Sequence, residues 1–209
     1  MKMTAMEREI AITLVEALVE YGLTDHLAQY GNKSTRDWFQ TNDMSFMGFG
    51  SSGGATKVCI WHDDLLSWTI KVGYTEHVRF DYAAKEYVNY CLAEEAGLAH
   101  YFPATVYLGE FGGCRFYAQQ WCECDENIVS SEWYSRIRDR FEEDGVDYDD
   151  DDIWNEIEYL DDFERVDLLF NDMELTDFLS ENHIGDLHEG NYGRIGSRIV
   201  ICDFSGYAG

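Results

Sequence analysis

Apolar residues recur three and four positions apart over residues 5–41, with Ile10, Leu14 and Leu18 on one face and Leu27 and Trp38-Phe39 further along. This period predicts helices, interrupted near Gly22 and Gly31. Strands alternate with turns from Phe46 onward. Lys57-Val58-Cys59-Ile60-Trp61 and Ser67-Trp68-Thr69-Ile70-Lys71-Val72 read as strands on either side of a turn at His62-Asp63-Asp64. A helical segment follows from about Phe80 to Ala96, with Gly97 as its C-cap. Two more strands, Ala104 to Leu108 and Arg115 to Gln120, flank Gly112-Gly113. Helical patterning then returns as one helix over Ser130–Arg140 and another over Phe163–Ser180, and Trp154, Ile157 and Leu160 anchor a further helix between them. The last predicted element is a hairpin whose second strand is the apolar run Ile199-Val200-Ile201-Cys202.

Around that hairpin the polar residues carry chemistry. Asp186-Leu187-His188-Glu189-Gly190-Asn191 precedes it, and Asp203 follows it. Asp186 is placed to orient or deprotonate a hydroxyl. A tight hairpin would bring Asn191 and Asp203 together as oxygen ligands for Mg²⁺ beside a nucleotide, which implies ATP binding. Upstream, Gly48-Phe49-Gly50-Ser51-Ser52-Gly53 has the G-x-G-x-x-G pattern, in which glycines let backbone N–H groups approach phosphates. It runs from strand to strand, which disfavours a dinucleotide-binding fold. Lys71 stands alone in an otherwise apolar strand. A buried ammonium needs an acidic partner or a phosphate, and Glu86 on the following helix is the expected partner, with Glu94 as the alternative.

Taken together, these residues resemble the protein-kinase-like superfamily, over roughly Phe46 to Tyr207. Gly48, Gly50 and Gly53 match its glycine-rich loop, Lys71 its third-strand lysine, and Glu86 its helix-C glutamate. Gln119-Gln120-Trp121-Cys122 falls at the hinge, making Gln120 and Cys122 nucleotide-binding candidates. Asp186 matches the catalytic aspartate, and Asn191 and Asp203 match the two metal ligands. The run Asp186-Leu187-His188-Glu189-Gly190-Asn191 looks more like the D-L-H-x-G-N of aminoglycoside and choline kinases than the D-L-K-x-x-N of protein kinases. The resemblance implies an α+β, two-lobe fold with ATP and Mg²⁺ as cofactors. Residues 1–43 would form an N-terminal helical extension, 44–122 an N-lobe with an antiparallel sheet, and 123–209 a mostly helical C-lobe. Two departures stand out. Ile184-Gly185-Asp186 replaces His-x-Asp, with His183 one position earlier, and Ser205 precedes Gly206 where a glycine often follows Asp-Phe. The sequence runs only six residues past Asp203, so a reduced, truncated C-lobe is expected.

Composition narrows the partners. The chain has 209 residues, of which 45% are hydrophobic and 15% aromatic, enough to bury a real core. Forty-one acids against fifteen bases give a formal net charge of −26, which disfavours nucleic acid and anionic membrane and favours a cationic small molecule or a basic protein. No run of eighteen apolar residues occurs, and Glu7, Arg8 and Glu9 stand where a signal peptide needs an apolar centre, so a cytoplasmic protein is expected. Six cysteines, at 59, 91, 114, 122, 124 and 202, show no paired C-x-x-C spacing. They read as reduced thiols serving mainly as small hydrophobes. Between Glu142 and Arg165, thirteen acids in twenty-four residues face one base. This stretch is either a cation-attracting lip or a solvated loop and helix face.

Two functions from different classes follow. One is a Mg·ATP-dependent phosphotransferase. The other is a pseudokinase or acidic interaction or inhibitor module that works by binding a protein partner. A third reading, in which the acidic surface mimics nucleic acid, requires nothing of Asp186.

Overall fold

The computed structural model describes residues 2–53, 57–73, 81–124 and 126–206. Among these the protein is α+β, with a five-stranded antiparallel sheet, a separate two-stranded hairpin and eight α-helices. The chain divides into two compact units. Unit 1 comprises residues 1–95 and 103–121, and unit 2 comprises 96–102 and 122–209.

Unit 1 opens with α1 (Ala5–Glu20), α2 (Leu23–Tyr30) and α3 (Thr35–Thr41). A reciprocal cap starts α1: Thr4 Oγ1 accepts from the Glu7 N–H at 3.2 Å, while Glu7 Oε2 accepts from the Thr4 N–H at 2.8 Å. Gly22, at φ 86, makes the left-handed turn between α1 and α2. The sheet has the order β1-β2-β3-β5-β4, built from β1 (Phe49–Gly53), β2 (Val58–His62), β3 (Trp68–Gly73), β4 (Thr105–Phe111) and β5 (Cys114–Gln120). Between β3 and β4 lies α4 (Tyr82–Ala96), followed by Gly97 at φ 80 as expected for a helix end.

Alternation along the strands separates the two faces. Val58, Ile60, Trp68, Ile70, Val72, Phe116 and Ala118 share one face and are all fully buried. Each such side chain contributes about 1.5–3 kcal/mol relative to exposure. The N-terminal helices supply the matching apolar residues, including Ala11, Val15, Leu18, Leu23 and Leu27, with α1 packed on β4 and α3 on β1. Arg8 adds a polar tie, donating at 3.0 Å to the Tyr107 carbonyl where β4 bulges. On the opposite face lie Lys71, Tyr117 and Gln119, and α4 covers part of it: Tyr87 meets Tyr117 and Tyr107 at ring-centroid distances of 5.8 and 6.2 Å. Every residue of β3 is therefore buried, Lys71 included.

Unit 2 contains α5 (Glu126–Asp144), α6 (Asp150–Tyr159), α7 (Asp162–Phe170), α8 (Met173–Glu181) and the hairpin β6 (Tyr192–Ile195) with β7 (Arg198–Ile201). The single helix expected over Phe163–Ser180 is two. Asn171 takes a left-handed conformation at φ 50, and Asp172 caps α8 by accepting from the N–H groups of Glu174 and Leu175 at 2.9 and 3.2 Å. Capping also accounts for part of the acidic stretch. Asp149 and Asp152 form a reciprocal cap on α6, and Asp161 and Glu164 form one on α7. Both sit at positive helix ends, where carboxylates stabilise the macrodipole. Trp133, Ile137, Ile153, Val166, Leu179 and Phe204 are among the buried residues of this unit. No helix among the described residues is long and apolar enough to cross a membrane.

Candidate functional site

In unit 1 the expected ion pair is present and is part of something larger. Lys71 Nζ lies 2.7 Å from Glu86 Oε2, and Lys57 Nζ lies 2.6 Å from Glu86 Oε1. Each carboxylate oxygen thus takes one ammonium. Glu86 is fully buried and both lysines are nearly so, at 6% and 5% exposure. Strand register explains the grouping: Cys59 opposes Lys71, so Lys57, two residues before Cys59, falls on the same face diagonally from Lys71. Lys71 is therefore not alone, and strand parity was the signal for Lys57.

The same alternation sorts the two neighbouring glutamines. Gln120 opposes Trp68, which puts its side chain on the apolar face away from Lys71. Its backbone N–H donates to the Ala104 carbonyl at 2.7 Å, and its Oε1 is buried with no hydrogen-bond partner among the described residues. Gln119 is the glutamine on the Lys71 face. The glycine pattern also shifts. Gly48, at φ 82, leaves a short 3₁₀ turn, and Gly50 lies within β1, where a Cβ would fall 2.2 Å from the ring of Trp61. Both glycines have a reason in backbone conformation and packing. Gly53 ends β1, and residues 54–56 after it lie outside those described.

Beside the triad, Asp81 starts α4 by accepting from the Ala84 N–H at 2.9 Å. It approaches β3 so closely that a Cβ on Gly73 would lie 1.9 Å from its Oδ1. Burial raises the Asp81 carboxyl above its usual range, opposed by the Ala84 N–H and by Arg115, whose guanidinium is 3.5 Å away. Burial, reinforced by Asp81, pushes the Tyr117 phenol up to about 12.

In unit 2 the hairpin forms where the sequence predicts it. Tyr192 opposes Ile201, and just beyond this pair the Asn191 carbonyl accepts from the N–H groups of Cys202 and Asp203 at 2.8 and 3.4 Å. Asn191 and Asp203 are thereby neighbours. The Asn191 side-chain amide donates to the Asp186 carbonyl, so one hydrogen-bonded network links Asp186, Asn191 and Asp203. Asp186 itself is left-handed at φ 62, with Oδ1 3.8 Å from His188 Nε2. His188 Nδ1 accepts from the Gly190 N–H at 3.1 Å, bracing the loop.

Three supports of this loop were not foreseen. Asp162, in the first turn of α7, accepts from the Leu187 N–H at 3.1 Å. Gly206, at φ 68, sits against the backbone of His183, where a Cβ would be 2.2 Å from the carbonyl oxygen. Phe204 is fully buried against Phe102, with ring centroids 4.9 Å apart. Phe204 and Gly206 had a signal, both lying in the run Asp203-Phe204-Ser205-Gly206.

Cys122, the last of the nucleotide-binding candidates, lies among other cysteines. Its Sγ lies 3.8 Å from that of Cys124, and Cys124 Sγ lies 3.3 Å from that of Cys202. Hydrogen bonding with Cys122 and Cys124, together with burial, holds the Cys202 thiol well above its ordinary pKa. The C-x-C pair thus has a third member, from the end of β7.

Against protein-family models, curated proteins and solved structures, the chain finds no match.

Proposed function

We propose that the protein is a Mg·ATP-dependent phosphotransferase of the protein-kinase-like superfamily. The observation that carries this reading is the network joining Asp186, Asn191 and Asp203. With its Nδ2 committed to the Asp186 carbonyl, Asn191 offers Oδ1 as its ligand atom, and Asp203, whose N–H donates to the Asn191 carbonyl, supplies a carboxylate. This donor set suits a hard divalent cation. Mg²⁺ held there would neutralise charge on a transferring phosphoryl group.

The remaining roles belong to the chain. Glu86 fixes the Lys71 ammonium, which binds phosphate oxygens in this reading. Asp186 accepts the proton of the acceptor hydroxyl. Its left-handed backbone, held through its own carbonyl by Asn191, sets the direction of that carboxylate. The acceptor class that fits the net charge of −26 is a cationic small molecule or a basic protein segment.

A second reading, a module that binds a cationic partner without catalysis, is favoured by one observation in unit 2. A cavity of about 520 Å³ has Phe163, Leu168 and Met173 in its wall and Asp161, Glu164 and Asp177 among its acids. Such a cavity suits an amine carried on an apolar body.

Calorimetric titration of ATP with and without Mg²⁺, on the wild type and on Asp203→Ala, tests the first reading. Mg²⁺-dependent binding that Asp203→Ala abolishes is expected, followed by phosphate transfer lost in Asp186→Ala. A folded wild type that binds no ATP refutes it. Nucleotide binding with no transfer to any amine or basic peptide would move the conclusion to the second reading.

A further inference from the structure

The three thiols of Cys122, Cys124 and Cys202 form a cluster that the phosphotransfer reading does not use. Their sulfur atoms all lie within 4.8 Å of one another, although Cys202 is seventy-eight residues from Cys124. The grouping is built by the backbone. Glu123 pairs with Arg194, its N–H donating to the Arg194 carbonyl at 3.0 Å and its carbonyl accepting from the Arg194 N–H at 2.8 Å. This adds a single bridged residue, Glu123, alongside β6 of the hairpin. Cys122 and Cys124 flank Glu123, so alternation sends both thiols to the same side. The end of β7 supplies Cys202 there. Gly193 keeps the space open, since a Cβ at that position would lie 3.3 Å from Cys122 Sγ and 3.0 Å from the Glu123 carbonyl oxygen.

We infer that Cys122, Cys124 and Cys202 form a three-thiolate site for a thiophilic d¹⁰ cation, Zn²⁺ or Cu⁺. The spacing fits this chemistry. Metal–sulfur bonds of about 2.3 Å place sulfurs about 3.8 Å apart around a tetrahedral ion and about 4.0 Å apart around a trigonal one. The observed 3.8 Å for Cys122–Cys124 needs no change, and the 3.3 Å for Cys124–Cys202 needs a small opening. No disulfide joins these residues. Cys124 is exposed, which gives the ion a route in and leaves a coordination position to water, as Zn²⁺ with three protein ligands commonly has. Binding exchanges three S–H protons, released to solvent, for three metal–sulfur bonds. The ion would tie the segment after β5 to the residue immediately before Asp203, fixing the end of the hairpin whether or not nucleotide binds there.

The test uses the full chain, reduced, stripped with a chelator and titrated with Zn²⁺, with Cu⁺ under anaerobic conditions, and with Co²⁺ as a spectroscopic stand-in for Zn²⁺. Wild type is expected to take up one equivalent of Zn²⁺ or Cu⁺ and to show a cobalt–thiolate charge-transfer band. Cys124→Ser, an exposed position, should weaken binding by about 100-fold or more and abolish the band. Cys91→Ser should match wild type. Uptake of Zn²⁺ and uptake of Cu⁺ both support the site, and the two arms decide which ion it prefers. Failure to bind either ion by fully reduced, folded wild type, or binding that survives Cys124→Ser, overturns it. Nucleotide titration of the same samples keeps this outcome separate from the phosphotransfer reading.

Discussion

Glu86→Gln is the substitution to which unit 1 should be most sensitive. The carboxylate is fully buried and holds Lys57 at 2.6 Å and Lys71 at 2.7 Å, so the amide leaves two buried ammonium groups without the charge that faces them both. Removing one partner of a buried ion pair costs about 3–5 kcal/mol, and with two cations on one anion the upper end is expected. Lys57→Met instead keeps the Lys71–Glu86 pair and removes the charged hydrogen bond to Glu86 Oε1, a loss of about 1.5–3 kcal/mol. The contrast between the two variants is the prediction. Since a chain of two units need not unfold in one step, amide hydrogen exchange on peptides from β2 and β3 is the appropriate assay, reporting unit 1 directly. A loss of about 4 kcal/mol corresponds to roughly a thousand-fold loss of protection. The triple variant Lys57→Met, Lys71→Met, Glu86→Leu should regain much of it, because well-packed apolar replacements of buried ions are often neutral or stabilising. Protection in Glu86→Gln within about threefold of wild type, a difference of roughly 0.7 kcal/mol, would refute the argument. So would a Lys57→Met variant as damaged as Glu86→Gln.

Three further outcomes follow from unit 2. Gly206→Ala sets a Cβ 2.2 Å from the His183 carbonyl oxygen at a left-handed φ of 68, so a loss of about 2 kcal/mol or more in urea unfolding is expected, and an unchanged midpoint would contradict it. Asp162→Ala removes the acceptor of the Leu187 N–H; it should destabilise by about 1–2 kcal/mol and weaken Mg·ATP binding in the calorimeter, whereas Asp177→Ala, on the neighbouring helix, should leave that binding unchanged. The Tyr101 hydroxyl donates to Asp172 at 2.6 Å, holding the Asp172 carboxyl below its ordinary 3.8, while burial and then Asp172 push Tyr101 from 10.0 to about 12. The lowered carboxyl stabilises fully above pH 3.8 and loses this as pH falls through its folded value; the raised phenol stabilises fully below pH 10 and loses this as pH rises through about 12. Tyr101→Phe should cost about 1 kcal/mol at neutral pH and flatten both limbs of the stability profile, and an unaltered acid limb would show that Asp172 gains nothing from Tyr101.

Local pattern and long-range register were unequally legible in the sequence. The hairpin around Asn191 and Asp203 was readable because its turn, its apolar run and its polar ends lie within about a dozen residues, where sequence spacing and spatial spacing coincide. The Lys71–Glu86 pair was readable for a different reason: a buried ammonium demands an anion, and the next helix had few to offer. Lys57 and Gln119 were within reach of the same logic. Cys59 opposes Lys71 and Thr69 opposes Gln119, so alternation alone places both on the lysine face, but only once the strand register is known. The break at Asn171-Asp172 was a capping signal, a left-handed Asx followed by an N-cap Asp, hidden inside an apolar period that runs on through it. The thiol cluster had no comparable sequence signal. Cys202 reaches Cys122 and Cys124 through the pairing of Glu123 with Arg194, and that pairing leaves no periodic trace in a segment of a few residues. Residues that must be close for chemistry were therefore found where the chain itself keeps them close. Where a β-bridge between distant segments does that work, the cysteines had to be placed by the backbone before their chemistry could be seen.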